Sequence, residues 1–107
     1  MSTDRLGGFE EVVLLAVAGL RGEGYGVSIR AELETGSRGR VSVGAVYATL
    51  DRLERKGYVE SRVGAATAER GGRRKRLFKI TGTGTAAITD ARRLRDRFWK
   101  TIEAPAS

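Results

Sequence analysis

The sequence predicts a mainly α-helical fold interrupted by one small β-hairpin. Three observations carry this. Apolar residues recur every three to four positions over most of the chain, as on one face of a helix. Between Tyr58 and Thr81 the period drops to two, as in half-buried strands. Between the second and third helical segments lies only the short turn "TGSRGR", Thr35 to Arg40. At 107 residues one domain is the default, with a thin core that oligomerisation would help.

The first helix is expected over Phe9 to Leu20, with Glu10 and Glu11 in the first turn where the helix dipole favours negative charge. Val12 to Ala18 are apolar all round, so this helix needs cover on more than one side, which a subunit contact would supply. "GEG" at Gly22 to Gly24 breaks the chain. The second helix follows from about Tyr25 to Glu34, its buried stripe made by Tyr25, Ile29 and Leu33 with Val27 flanking. Gly36 is suited to a left-handed C-cap. Ser42 is a good N-cap for the third helix. There Val46, Leu50 and Leu53 face the core, and Gly44, Tyr47, Ala48, Asp51 and Arg55 face away. Gly57 ends it.

Then "YVESRV" alternates, Tyr58, Glu60 and Arg62 on one side and Val59, Ser61 and Val63 on the other. "GAATAERGG" (Gly64 to Gly72) is a loop of small and polar residues. "RRKRLFKIT" alternates again, with Arg74, Arg76, Phe78 and Ile80 sharing one parity. The last helix runs from about Thr83 to Ile102, with Ala87, Ala91, Leu94 and Phe98 as one stripe widened by Ile88, Trp99 and Ile102. Three helices, a hairpin and a fourth helix form the outline of a winged helix-turn-helix with a C-terminal dimerisation helix. Residues 1–81 form the DNA-binding part, and residues 82–107 pack on the first helix to make one compact unit.

Composition narrows the function. The chain has no cysteine and no histidine, which removes thiol chemistry, imidazole acid–base catalysis and the usual zinc ligands. No metal or cofactor site is expected, and no enzymatic activity. Disulfide-free composition fits a reducing cytoplasm. The longest apolar run, Val12 to Leu20, is about half a membrane span, so no membrane partner is expected. The net charge of +7 is unevenly spread: residues 1–40 carry −1, residues 41–81 carry +6 and residues 82–107 carry +2. A polyanion facing the middle third, double-stranded DNA above all, is the natural partner.

Two groups of residues are candidates for that contact. At the start of the third helix, Ser42, Val43, Gly44, Tyr47 and Ala48 occupy the positions from which recognition helices reach the major groove. Their small side chains allow close approach, and the helix N-terminus with the Ser42 hydroxyl can take a phosphate. No Arg, Asn or Gln stands there for bidentate base reading, so DNA shape should carry much of the selectivity. Ser42 could equally serve as a cap alone, and Tyr47 could pack on its neighbours. The second group is the basic hairpin, Arg73, Arg74, Lys75 and Arg76, placed to straddle phosphates or enter a narrow minor groove. Arg38, Arg40, Arg52 and Arg62 are weaker phosphate candidates, and Arg52 could instead pair with Glu34 or Asp51. Phe9, Leu94, Phe98 and Trp99 are candidates for a homodimer seam, which either simply packs or also stacks a planar aromatic effector. A second reading is a protein–protein interaction module that uses a winged-helix surface without specific DNA binding, since fold alone does not decide function.

"LGGFEEVVLLAV", "YGVSI", "VSVGAVYATLDRLERKGYVESR" and "RGGRRKRLFKIT" together resemble the PadR family of bacterial transcriptional regulators, in the short form with a single C-terminal helix. The resemblance spans Leu6 to about Phe98. It implies a homodimer joined through its first and last helices, with the two third helices in successive major grooves of a pseudo-palindromic operator. It further implies repression relieved by a small molecule such as a phenolic or drug-like aromatic. By the same resemblance Tyr47 and Arg52 match the family's third-helix tyrosine and arginine, and Arg73 to Arg76 its basic wing. Ala48 stands where many members have proline, and Phe78 where tyrosine is common.

Overall fold

The computed structural model describes residues 6–36, 39–64 and 74–105. Four helices and two strands follow in the order α1 (Gly8–Gly19), α2 (Gly26–Thr35), α3 (Val43–Arg55), β1 (Val59–Val63), β2 (Arg76–Ile80) and α4 (Gly82–Glu103). The strands pair antiparallel, with Val59 opposite Ile80, Ser61 opposite Phe78 and Val63 opposite Arg76. That register puts Val59, Ser61, Phe78 and Ile80 on one face, as the alternation predicts.

The core is where α1, α2, α3 and the hairpin meet. Val13, Leu14, Val17, Ile29, Val46, Leu50, Leu53 and Phe78 are fully buried, with Tyr58 and Val59 closing one side. Phe78, the largest of the fully buried side chains, contributes about 2–3 kcal/mol of burial on its own. Its backbone matters too. The outer edge of β2 bridges to Gly24, whose carbonyl accepts the Phe78 N–H at 2.8 Å. A Cβ at Gly24 would lie 3.0 Å from Leu20 Cδ1 and 3.2 Å from Ile29 Cγ1, so these side chains would have to give way to a larger residue.

Three local expectations change. Val27 is 55% exposed and leaves the α2 stripe to Ile29, with Tyr25 and Leu33 half-buried. Gly36 stays in the right-handed region, at φ −91°, and Gly39 takes the positive φ of 108°. Tyr58 and Val59 are both buried, since Tyr58 precedes the strand and still belongs to the turn out of α3. Gly57, at φ 80°, makes that turn as the spacing requires.

α4 seats on the body through its first turns. The Thr81 hydroxyl accepts the Gly84 N–H at 3.0 Å and donates to the Gly57 carbonyl at 2.7 Å. Gly84 lies so close to the Tyr58 carbonyl that any Cβ there would collide with backbone. Further along, Arg95 grips the Glu11 carboxylate of α1 through Nε at 3.0 Å and Nη2 at 2.7 Å. Beyond Ala91 every described residue of α4 is exposed.

Candidate nucleic-acid interface

The turn between α2 and α3 is closed by one carboxylate. Glu34, at the end of α2, accepts the Val41 N–H at 2.9 Å. That bond holds its carboxyl below the usual range, aided by Arg30 and Arg40 against a smaller opposing effect of burial. Ser42 then caps α3, its Oγ accepting the Ala45 N–H at 3.0 Å. The outward face of α3 presents Ser42, Gly44, Tyr47, Ala48, Asp51 and Arg55, all exposed, with Val43 half-buried at the tip. Tyr47 packs on its neighbours while staying partly exposed. It is 41% exposed, yet its ring lies across Gly26, where a Cβ would overlap it.

The arm of the wing enters beside this face. Arg74, Lys75 and Arg76 are exposed, but not equally available. Arg76 is drawn to α3: its guanidinium meets Glu54, lies 3.6 Å from Asp51 and donates to Ser61 Oγ at 3.1 Å. Lys75 turns the other way, its Nζ 4.2 Å from the centre of the Tyr25 ring at the start of α2. Arg74 has neither kind of partner among the described residues. The wing arm thus straddles the two helices of the helix-turn-helix, tied to each by a cation. Arg38 and Arg73 lie outside the described residues, and Arg40 is exposed beside the turn.

Two other arginines are committed within the molecule. Arg62 pairs with Glu23 at 3.3 Å. Arg52 turns to neither Glu34 nor Asp51; it reaches Glu10 at 3.4 Å and Thr49 Oγ1 at 3.0 Å. Glu10 is the centre of a small network, for it also receives Lys56 Nζ at 2.9 and 3.0 Å and the Gly7 N–H at 2.8 Å. Burial pushes its carboxyl up, but the Gly7 bond, Lys56 and Arg52 together outweigh that and hold it below the usual range. This network joins the start of α1 to the end of α3. Sequence reasoning assigned Glu10 only to the helix dipole, because nothing in the spacing links it to a lysine 46 residues away.

A compact three-helix body, an exposed third helix and a basic two-stranded wing are the parts of a DNA-reading head. The family model described as "Transcriptional regulator PadR-like family" matches residues 14–90. The chain belongs to this family. Solved structures share the fold. A PadR-like transcriptional regulator from Bacillus cereus superposes with a TM-score of 0.70 at 20% identity, covering 88% of this chain and 86% of that one. The hsRosR protein, solved as a complex, gives 0.67 at 28% identity, over 94% and 77%. Wild-type MarR from E. coli in its apo form gives 0.62 at 24%, over 83% and 57%. A search of curated proteins returned no match.

As a PadR-like protein the chain is a transcriptional regulator and not an enzyme, and PadR-like regulators bind DNA. Among the described residues no group of three or more acidic, His or Cys side chains could hold a metal ion, and no helix is long and apolar enough to cross a membrane. The regulator's apolar surface is concentrated on α1 and α4. Phe9, Val12 and Leu15 are exposed on α1, and Leu94, Phe98, Trp99 and Ile102 on α4, with Phe98 at 60% and Trp99 at 57%.

Proposed function

We propose that the protein is a homodimeric repressor that binds a pseudo-palindromic operator and is released by a planar aromatic small molecule. The observation that carries the DNA reading is the juxtaposition on one side of the molecule of the exposed α3 face with the basic arm of Arg74 and Lys75. α3 inserts its N-terminal half into the major groove, Ser42, Val43, Gly44, Tyr47 and Ala48 first. Arg73, Arg74 and Lys75 meet flanking phosphates, with Arg38 and Arg40 as further contacts. Arg52 and Arg76 support the head from within, as their carboxylate partners indicate.

Dimerisation follows from the bare apolar stripe on α4 and its neighbour on α1. A two-fold dimer places its recognition helices about 34–36 Å apart, one turn of duplex, so the operator should show half-sites at that spacing. Phe9, Leu94, Phe98 and Trp99 line the seam, where a flat ligand could stack on the indole. A regulator of this kind works in the cytoplasm. Selection of genomic fragments at physiological salt tests the reading: a recovered palindrome supports it, and weak, salt-erased binding without any shared sequence overturns it. The single tryptophan reports the ligand, and a screen of planar aromatics that leaves its fluorescence unmoved removes the sensor role.

A further inference from the structure

Three consecutive residues at the entrance to α2 each hold a different part of the reading head. The Gly24 carbonyl accepts the Phe78 N–H of β2 at 2.8 Å. The Tyr25 ring carries the Lys75 ammonium at 4.2 Å. Gly26 lies beneath the Tyr47 ring of α3, too close for any side chain. Wing strand, wing cation and recognition-helix tyrosine therefore converge on one tripeptide. The tripeptide is itself tied to the first turn of α2: the Tyr25 N–H donates to Ser28 Oγ at 3.0 Å, and the Ser28 hydroxyl donates back to the Tyr25 carbonyl at 3.1 Å.

We infer that Gly24-Tyr25-Gly26 sets the register between wing and recognition helix, Tyr25 being the positioning residue for Lys75 and Gly26 for Tyr47. The inference rests on the DNA-binding reading above and adds division of labour to it. A lysine on a free arm samples many rotamers, and its contact with phosphate costs that freedom. The face of an aromatic ring attracts the ammonium and holds it in a narrow region while leaving its outer side open to an anion. Tyr25 is half-buried at the start of α2. Tyr47 can lay the tip of its ring on α2 because Gly26 has no Cβ, and a methyl there would force the ring to swing.

The test titrates a random duplex and the selected operator over a salt series, using wild type, Tyr25→Phe, Tyr25→Leu, Lys75→Gln, Tyr25→Leu/Lys75→Gln and Gly26→Ala, each checked by thermal melting. Each neutralised phosphate contributes about 0.9 to the slope of log affinity against log salt. Tyr25→Leu and Lys75→Gln should each lower the slope by about that amount, the double variant by no more than either alone, and Tyr25→Phe by nothing. Gly26→Ala should leave the slope unchanged and lower the operator-to-random ratio roughly tenfold, the scale of one base contact. A wild-type slope in Tyr25→Leu or Lys75→Gln, additive losses in the double variant, or an unchanged ratio in Gly26→Ala would overturn the assignment while leaving DNA binding intact. Wild type that binds no duplex removes the DNA reading and this division with it. If Tyr25→Leu does not fold, the Tyr25 ring proton resonances decide: Lys75→Gln should shift them, and no shift rejects the seat.

Discussion

Replacing Glu10 with alanine removes the carboxylate that Lys56 meets at 2.9 and 3.0 Å, Gly7 at 2.8 Å and Arg52 at 3.4 Å. The Gly7 N–H loses an acceptor at a helix start, a loss of about 1 kcal/mol. Lys56 is left in a site where its side chain is 20% exposed. It can swing partly into water, so the penalty falls below the ~3–5 kcal/mol of a fully buried broken pair, at about 1–2 kcal/mol. Arg52 is nearly half exposed and adds little. The total is about 2–3 kcal/mol. In a domain of this size each kcal/mol moves Tm by roughly 4–8 °C, so Glu10→Ala should melt roughly 10–20 °C lower at pH 7. Glu10→Gln keeps the volume and the Gly7 acceptor and should lose about half as much.

The assay is circular-dichroism melting at one fixed protein concentration, because any self-association would shift Tm by mass action. pH supplies a second axis. The Glu10 carboxyl sits below its usual value of 4.5, burial notwithstanding, through the Gly7, Lys56 and Arg52 contacts. An acid with a lowered folded value contributes its stability in full above the unfolded value and loses it as pH falls through the folded one. Wild type and Glu10→Gln should therefore differ most near neutrality and converge as the pH falls through the lowered folded value. A Tm loss under ~3 °C for Glu10→Ala, or a gap to Glu10→Gln that stays constant from pH 7 to pH 3, would refute the network's role.

Gly84→Ala places a methyl against the Tyr58 carbonyl and 2.9 Å from Ile80 Cγ1. It should cost about 1–3 kcal/mol, read as a lower urea midpoint with an unchanged m-value. Phe98→Asp puts charge at the centre of the exposed α4 stripe and should yield a monomer in sedimentation equilibrium, with secondary structure retained. Arg74→Ala should weaken operator and random DNA alike and lower the salt slope by about one. An unchanged slope would show that Arg74 meets no phosphate.

Much of the fold is legible because burial repeats with a period. Val46, Leu50 and Leu53 fall on one side of α3 by spacing alone, and all three are fully buried. The alternation that ends in Phe78 and Ile80 likewise gives the inner face of β2. Residues whose role depends on a single distant partner carry no such signal. Arg76 reads as one more member of a basic run, yet its neighbours in space are Asp51, Glu54 and Ser61. Arg52 reads as a surface cation, yet it turns to a carboxylate 42 positions earlier. The Gly24 bridge is one residue long, too short to alternate. For the interface this means the sequence locates the positive charge, and the fold decides which cations remain available.

Gly84 gives α4 a particular mechanical character. The helix touches the body there backbone to backbone, with no side chain as a cushion, against the Tyr58 carbonyl that also accepts the Thr81 N–H at 3.0 Å. From Gly84 to Glu103 a helix extends about 28 Å. Each degree of tilt at that hard fulcrum carries the far end about 0.5 Å sideways. Arg95 clasps the middle of that lever to Glu11 of α1, so a sideways load at Trp99 is shared between this clasp and the hard contact at Tyr58.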